Sequence, residues 1–171
     1  VVLSDFEPTD NNGNLDLSEY EGKIKTIEAG AFSKVEIESG ITPLSSIVLP
    51  KGITTIGDDA FSYNTSLTSI KIPNTVTTIG KRAFRGCTNL TSIEIPDTVT
   101  YIGDYCFSGC NRLQKIKLSK KIQTINQGLL EGCSSLTEIE IPEGVESIGY
   151  SAFKSCDKLT TITLPASLTY I

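Results

Sequence analysis

From residue 44 onward, apolar residues fall into columns that repeat every 23 positions. In the stretch Leu90-Thr91-Ser92-Ile93-Glu94-Ile95-Pro96, Ile93 and Ile95 alternate with polar Ser92 and Glu94. That period of two predicts a strand with one face buried. Pro96 ends it, because proline lacks the N–H that a ladder needs. Val99 to Ile102 is a second apolar step and predicts a short second strand. Asp104–Ser108 predicts a single helical or 3₁₀ turn with Phe107 pointing inward. The same columns recur at Leu44, Leu67, Leu90, Leu113, Leu136 and Leu159, and at Ile47, Ile70, Ile93, Ile116, Ile139 and Ile162. A fixed period of this length is the signature of a solenoid, in which each coil buries its apolar face against its neighbours.

The columns divide the chain. Five full coils, 44–66, 67–89, 90–112, 113–135 and 136–158, are followed by a partial one, 159–171, so that 44–171 is the solenoid proper. Residues 15–43 read as a degenerate capping coil: Ile24, Ile27, Ala31 and Phe32 match the spacing of Val76, Ile79, Ala83 and Phe84. Phe32 lies twelve residues before Leu44, whereas Phe61 lies six before Leu67. The extra residues fall in Ser33–Pro43, where Val35-Glu36-Ile37-Glu38 alternates like a strand. Residues 1–14 read as an arm or loop, ending in the turn-forming run Asp10-Asn11-Asn12-Gly13-Asn14. Two features suggest that the natural protein extends further. The chain starts at Val1 rather than Met, and Leu159, Ile162, Leu164, Leu168 and Ile171 await a coil to cover them.

Departures from the repeat sharpen it. Gly57, Gly80, Gly103 and Gly149 share a column whose remaining member is Asn126, the side chain that best tolerates positive φ. The column is therefore expected to be left-handed backbone. Ala83-Phe84 and its equivalents become Leu129-Leu130 in one coil, a swap that roughly conserves core volume. Phe61, Phe84, Phe107 and Phe153 are expected to stack as one continuous spine.

Composition narrows the function. The chain is 39% hydrophobic and 20% charged, which is globular rather than disordered. A net charge of −5 disfavours a nucleic-acid or anionic-membrane surface. No apolar run reaches the roughly 20 residues needed to span a bilayer. The chain has no His, which removes His-based triads and Cys-His dyads. Asp and Glu are spread singly, and the Gly residues follow the repeat rather than a phosphate-cradling loop. The reading is a non-catalytic protein with no cofactor and no metal.

Cys87, Cys110, Cys133 and Cys156 share one column, with Asn64 in the first coil, and Cys106 sits beside Phe107. Adjacent coils lie about 4.8 Å apart, near enough for a disulfide. But stacked side chains point the same way, and five Cys cannot all pair within one chain. Without His, clustered zinc ligands are lacking too. A ladder of buried free thiols fits best. Asp10-Asn11-Asn12-Gly13-Asn14-Leu15-Asp16 has some calcium-loop character, yet Leu15 stands where the sixth-position Gly belongs, so an Asx-rich turn is expected. Asn64-Thr65-Ser66 and Asn89-Leu90-Thr91 match the glycosylation sequon, but both fall on core columns.

The pattern Leu67-Thr68-Ser69-Ile70-Lys71-Ile72-Pro73, then Val76, Ile79, Gly80, Ala83, Phe84 and Cys87, resembles the BspA-like leucine-rich repeats of bacterial and protist surface proteins. The resemblance covers roughly residues 24–171. It implies a leucine-rich-repeat solenoid of the α/β horseshoe class, mainly β, with parallel strands on the concave face and short second strands and turns opposite. It also implies a secreted or cell-surface location and adhesion to a host or matrix protein or glycoprotein. A passive spacer, or the recognition arm of a larger extracellular enzyme, is the alternative.

The outward positions of the predicted concave sheet are Ser69, Lys71, Ser92, Glu94, Lys115, Lys117, Glu138 and Glu140, and these are the candidate partner-binding residues. Lys71, Glu94, Lys117 and Glu140 alternate in sign along successive coils, which predicts a lateral charge ladder. A flank carrying Arg82, Arg85, Tyr101, Tyr105, Arg112 and Tyr150 competes with it, because binding hot spots are enriched in Tyr and Arg.

Overall fold

The computed structural model describes residues 13–33 and 43–171. The chain winds as a succession of short parallel strands, numbered here in chain order. The front strands are β1 (Asn14–Asp16), β3 (Ser46–Val48), β5 (Ser69–Ile70), β7 (Ser92–Glu94), β9 (Lys115–Lys117), β11 (Glu138–Glu140) and β13 (Thr161–Thr163). The second strands are β2 (Thr26–Ile27), β4 (Thr55–Ile56), β6 (Thr78–Ile79), β8 (Tyr101–Ile102), β10 (Thr124–Ile125) and β12 (Ser147–Ile148). Every pairing is parallel and joins equivalent columns of adjacent coils, such as Ile47 with Ile70 and Ile79 with Ile102. β-Branched residues at the inward positions suit this stacked, half-buried surface.

The first coil has a front strand of its own. Leu15 pairs with Ile47 and is buried with the Ile column. Ile27 lies twelve residues after Leu15, whereas Ile56 lies nine after Ile47. The 3₁₀ turn Ser18–Tyr20 takes up the difference. The strand-like Val35–Glu38 lies outside the described residues, as does most of the Asp10–Asn14 run. At the end of that run, Leu15 and Asp16 belong to β1, and Asp16 Oδ1 accepts the Ser18 N–H at 2.8 Å, a local Asx turn.

The third side of each coil is a turn rather than the expected helical or 3₁₀ turn. Its alternate N–H groups bond forward to the next coil: Arg82 N to Asp104 O at 2.9 Å, Phe84 N to Cys106 O at 2.9 Å, Gly86 N to Ser108 O at 2.8 Å. The first and third of these donors, Arg82 and Gly86, have left-handed backbone. One left-handed column holds Gly30, Asp59, Arg82, Tyr105, Gly128 and Ser151; another holds Tyr63, Gly86, Gly109, Gly132 and Ser155.

This corrects the expectation for Gly57, Gly80, Gly103, Gly149 and Asn126, none of which has positive φ. The glycines are there for close approach. A Cβ on Gly103 would lie 2.4 Å from Lys81 N, and one on Gly80 would lie 2.5 Å from Asp58 N. Without a Cβ, Gly80 N and Gly103 N reach Ile56 O and Ile79 O at 2.8 Å. Asn126 solves the same problem differently: its side-chain Nδ2 donates to Ile102 O at 2.6 Å. There β8 and β10 are unpaired, and the second sheet divides into β2-β4-β6-β8 and β10-β12.

Inside, Phe32, Phe61, Phe84 and Phe107 stack with centroids 5.3, 5.3 and 5.5 Å apart and planes within 12°. The spine thus starts one coil earlier than expected and stops at Leu130. Phe153 lies beyond Leu130 and is only half-buried, so it does not join the stack. All five thiols are free. Cys87, Cys110 and Cys133 donate Sγ–H to Phe61 O, Phe84 O and Phe107 O at 3.2–3.3 Å. Asn64 imitates them with Nδ2 on Phe32 O and Phe61 O at 2.6 and 2.9 Å. Its amide is therefore buried and engaged, and the first sequon lies in the core. Cys156 is only half-buried, unlike the rest of its column.

Candidate functional site

The eight front-sheet candidates all project to solvent. Ser69, Ser92, Glu94, Lys115, Lys117, Glu138 and Glu140 lie on β5, β7, β9 and β11, and Lys71 directly follows β5. Each flanks an inward Ile that anchors it: Ile70, Ile93, Ile116 and Ile139 are 4–7% exposed, so the charged residues sit on a rigid, core-locked backbone.

The structure gathers four of the eight. Lys115, Lys117, Glu138 and Glu140 line a groove of roughly 670 Å³ across β9, β11 and β13. Lys120 and Glu143 extend the two rows, and Thr161 and Thr163 close the far side. Its floor includes Ile116, Leu118 and Ile139. Ser69, Lys71, Ser92 and Glu94 lie outside the lining. The front strands pair as β1-β3-β5, β7-β9 and β11-β13, so β9 and β11 are not paired with each other.

The lateral charge ladder closes at one rung. Lys117 Nζ donates to Glu94 Oε1 at 2.6 Å, and that carboxylate raises the lysine's pKa. Both groups are well exposed, so the pair contributes little to stability. Lys115, Lys120, Glu138, Glu140 and Glu143 make no ion pair among the described residues. Lys120 is held through its backbone, whose N–H meets Asp97 Oδ1 at 2.9 Å.

Lys120 and Glu143 were not singled out in the sequence, although both stand one residue past the proline column. In the coil of Lys120 that column holds Ser119. Its buried hydroxyl donates to Val99 O and accepts the Lys121 N–H at 3.1 Å. In the coils of Thr75 and Ser167 a hydroxyl two residues further on does this work, bonding Ile53 O at 2.6 Å and Val145 O at 2.8 Å. Lys121 stands at that position and cannot, so Ser119 compensates.

On the competing flank Arg82, Arg85 and Tyr105 have partners. Arg82 forms a bidentate pair with Asp59, Nε to Oδ1 at 3.0 Å and Nη2 to Oδ2 at 2.8 Å. Arg85 lies 5.7 Å from the Tyr63 ring centroid. Gln127 Nε2 donates to Tyr105 Oη at 2.7 Å, and the Tyr105 ring occupies the space a Cβ on Gly128 would need. Tyr101 and Tyr150 are exposed.

Burial raises the thiol pKa of Cys87 to about 12 and pushes those of Cys106, Cys110 and Cys133 up as well, which removes the thiolate a nucleophile or metal ligand would need. Among the described residues no group of three or more Cys, Asp or Glu is placed to hold a metal ion, and no helix is long and apolar enough to cross a membrane.

The fold recurs in solved structures. A leucine-rich repeat protein from Bacteroides ovatus is 30% identical with a TM-score of 0.70, over 86% of this chain and 39% of its own length. One from Eubacterium ventriosum is 33% identical with a TM-score of 0.68, over 73% of this chain and 34% of its own. The T. pallidum leucine-rich-repeat protein is 26% identical with a TM-score of 0.84, over 96% of this chain and 75% of its own. The chain thus spans well under half the length of the first two. No curated protein sequence matches it. The model of the BspA-type leucine-rich repeat region matches in six copies, over residues 6–70, 25–133 and 54–171, and the chain belongs to that family.

Proposed function

We propose that this chain is a non-catalytic, surface-exposed module that binds a host or matrix protein or glycoprotein through its front sheet. One observation carries the reading. The front sheet presents unpaired charged side chains on a rigid backbone around a groove, while on the rival flank Arg82, Arg85 and Tyr105 are taken up by Asp59, Tyr63 and Gln127. Repeat arrays use such extended faces for recognition. A secreted or cell-surface location accords with BspA-type repeats.

The test is capture of matrix proteins by the immobilised chain, followed by two double variants. Glu138→Lys with Glu140→Lys should abolish capture. Arg85→Glu with Tyr150→Ala should leave it intact. If only the flank variant loses binding while both remain folded, the front-sheet assignment is overturned. If the unmodified chain captures nothing, the spacer reading replaces it.

A further inference from the structure

The groove is electrically ordered, and that order selects an occupant. Lys115, Lys117 and Lys120 form one row; Glu138, Glu140 and Glu143 form the next, one coil along the solenoid axis. Equivalent positions on adjacent coils are about 4.8 Å apart. Three positive and three negative side chains therefore cancel in sum but not in space. A ligand lying parallel to the strands would follow a row of one sign. A ligand lying across them passes from positive to negative to the hydroxyls of β13.

The rows do not neutralise one another. Lys117 turns away from the groove's acidic row and bonds Glu94 at 2.6 Å. Lys115 and Lys120 remain as the positive pole. The three glutamates remain as the negative pole. Exposed lateral ion pairs are weak and readily exchanged for a ligand's charges.

We infer that the groove binds an extended peptide segment that crosses the strands and carries an acidic residue and, two positions along, a basic residue. The acidic residue lies on the row of Lys115 and Lys120, and the basic one on the row of Glu138, Glu140 and Glu143. Side chains on one face of an extended chain recur about every 6.8 Å, so two successive ones can reach adjacent rows. A uniformly acidic or basic partner gains at one row and is repelled at the other, so the two poles act as a filter. This rests on the partner-binding role proposed for the front sheet and adds the chemistry of the partner.

The test uses four synthetic peptides of one length. One, the block peptide, has an aspartate and a lysine two positions apart in a serine background; one has the same two residues eight positions apart; one, the all-aspartate peptide, has two aspartates two positions apart, and one, the all-lysine peptide, two lysines. At low ionic strength the block peptide should bind at least about tenfold more tightly than any other. The preference should collapse in 1 M salt, where the screening length falls to about 3 Å. Lys115→Glu with Lys120→Glu makes both rows acidic. That variant should lose the block peptide and take the all-lysine peptide instead. Lys25→Glu with Lys158→Glu makes the same change in net charge away from the groove and should keep the original preference. The inference is overturned if the block peptide is not preferred, if the groove variant keeps its preference, or if the distant variant loses it. Should the peptides fail while front-sheet variants still lose matrix-protein capture, the charge filter falls and the binding role stands.

Discussion

Replacing Gly103 by Ala tests why the glycine column exists. Its φ is not positive, so the backbone conformation itself admits an L side chain. The obstacle is space: the new Cβ would lie 2.4 Å from Lys81 N and 2.7 Å from Gly80 C. Comfortable contacts are about 3.5 Å or longer, so the coils must part by about 1 Å. Parting them breaks Gly103 N to Ile79 O at 2.8 Å and strains Thr100 N to Thr77 O at 2.9 Å with the β6–β8 rungs. Two or three such bonds at about 0.5–1.5 kcal/mol each, less about 0.5–1 kcal/mol regained from a stiffer unfolded chain, leave a net loss of about 1–3 kcal/mol. Asn126 shows the outcome of such a parting, with the ladder open and a side-chain amide on the carbonyl. Gly103→Asn should therefore cost about 1 kcal/mol less than Gly103→Ala, because its amide can reach Ile79 O. Urea denaturation measures both, and amide exchange at Tyr101–Gly103 reports the local opening. If Ala costs under about 0.5 kcal/mol, or if Asn costs more than Ala, the close-approach account is wrong.

The remaining predictions address the core, the backbone and the thiols. Phe84→Ala should cost about 4–5 kcal/mol, since the ring is fully buried and stacked on both sides, whereas half-buried Phe153→Ala should cost about 1–2 kcal/mol; equal losses in denaturation would contradict the spine. Ser151→Gly, at φ 58°, should stabilise by about 0.5–1 kcal/mol and raise the melting temperature. In native protein Cys156 should react first with a thiol reagent and the other four only on unfolding; uniform labelling would refute the buried ladder. The Cys87 thiol has its pKa raised from 9.0 to about 12 in the fold, so its contribution is intact below pH 9 and is lost as pH climbs towards 12. A denaturation midpoint unchanged across that window would argue against it.

The columns made the solenoid legible because every coil repeats the same burial problem, so Leu, Ile, Phe and Cys recur by type. The first left-handed column was not legible, because Gly30, Asp59, Arg82, Tyr105, Gly128 and Ser151 have no type in common. There the backbone is dictated by forward hydrogen bonds rather than by the side chain. The shared glycines two positions earlier drew the inference instead, although they answer to the distance between coils. All eight front-sheet residues face outward as the alternation implies, but which of them share a groove is not readable from it. Alternation says which way Lys115 and Glu138 point, and says nothing about where the sheet divides.

Coil 113–135 concentrates the irregularities: Ser119 for proline, Asn126 for glycine, Leu129-Leu130 for Ala-Phe. A chain of near-identical units faces a hazard during folding, since any coil can nucleate against the wrong neighbour with most columns still matched. A slip of one unit would set Asn126 in a place shaped for a glycine and leave a leucine inside the phenylalanine stack. A shifted array would therefore be mismatched at this coil, whereas a perfectly uniform repeat carries no feature that distinguishes one alignment from another.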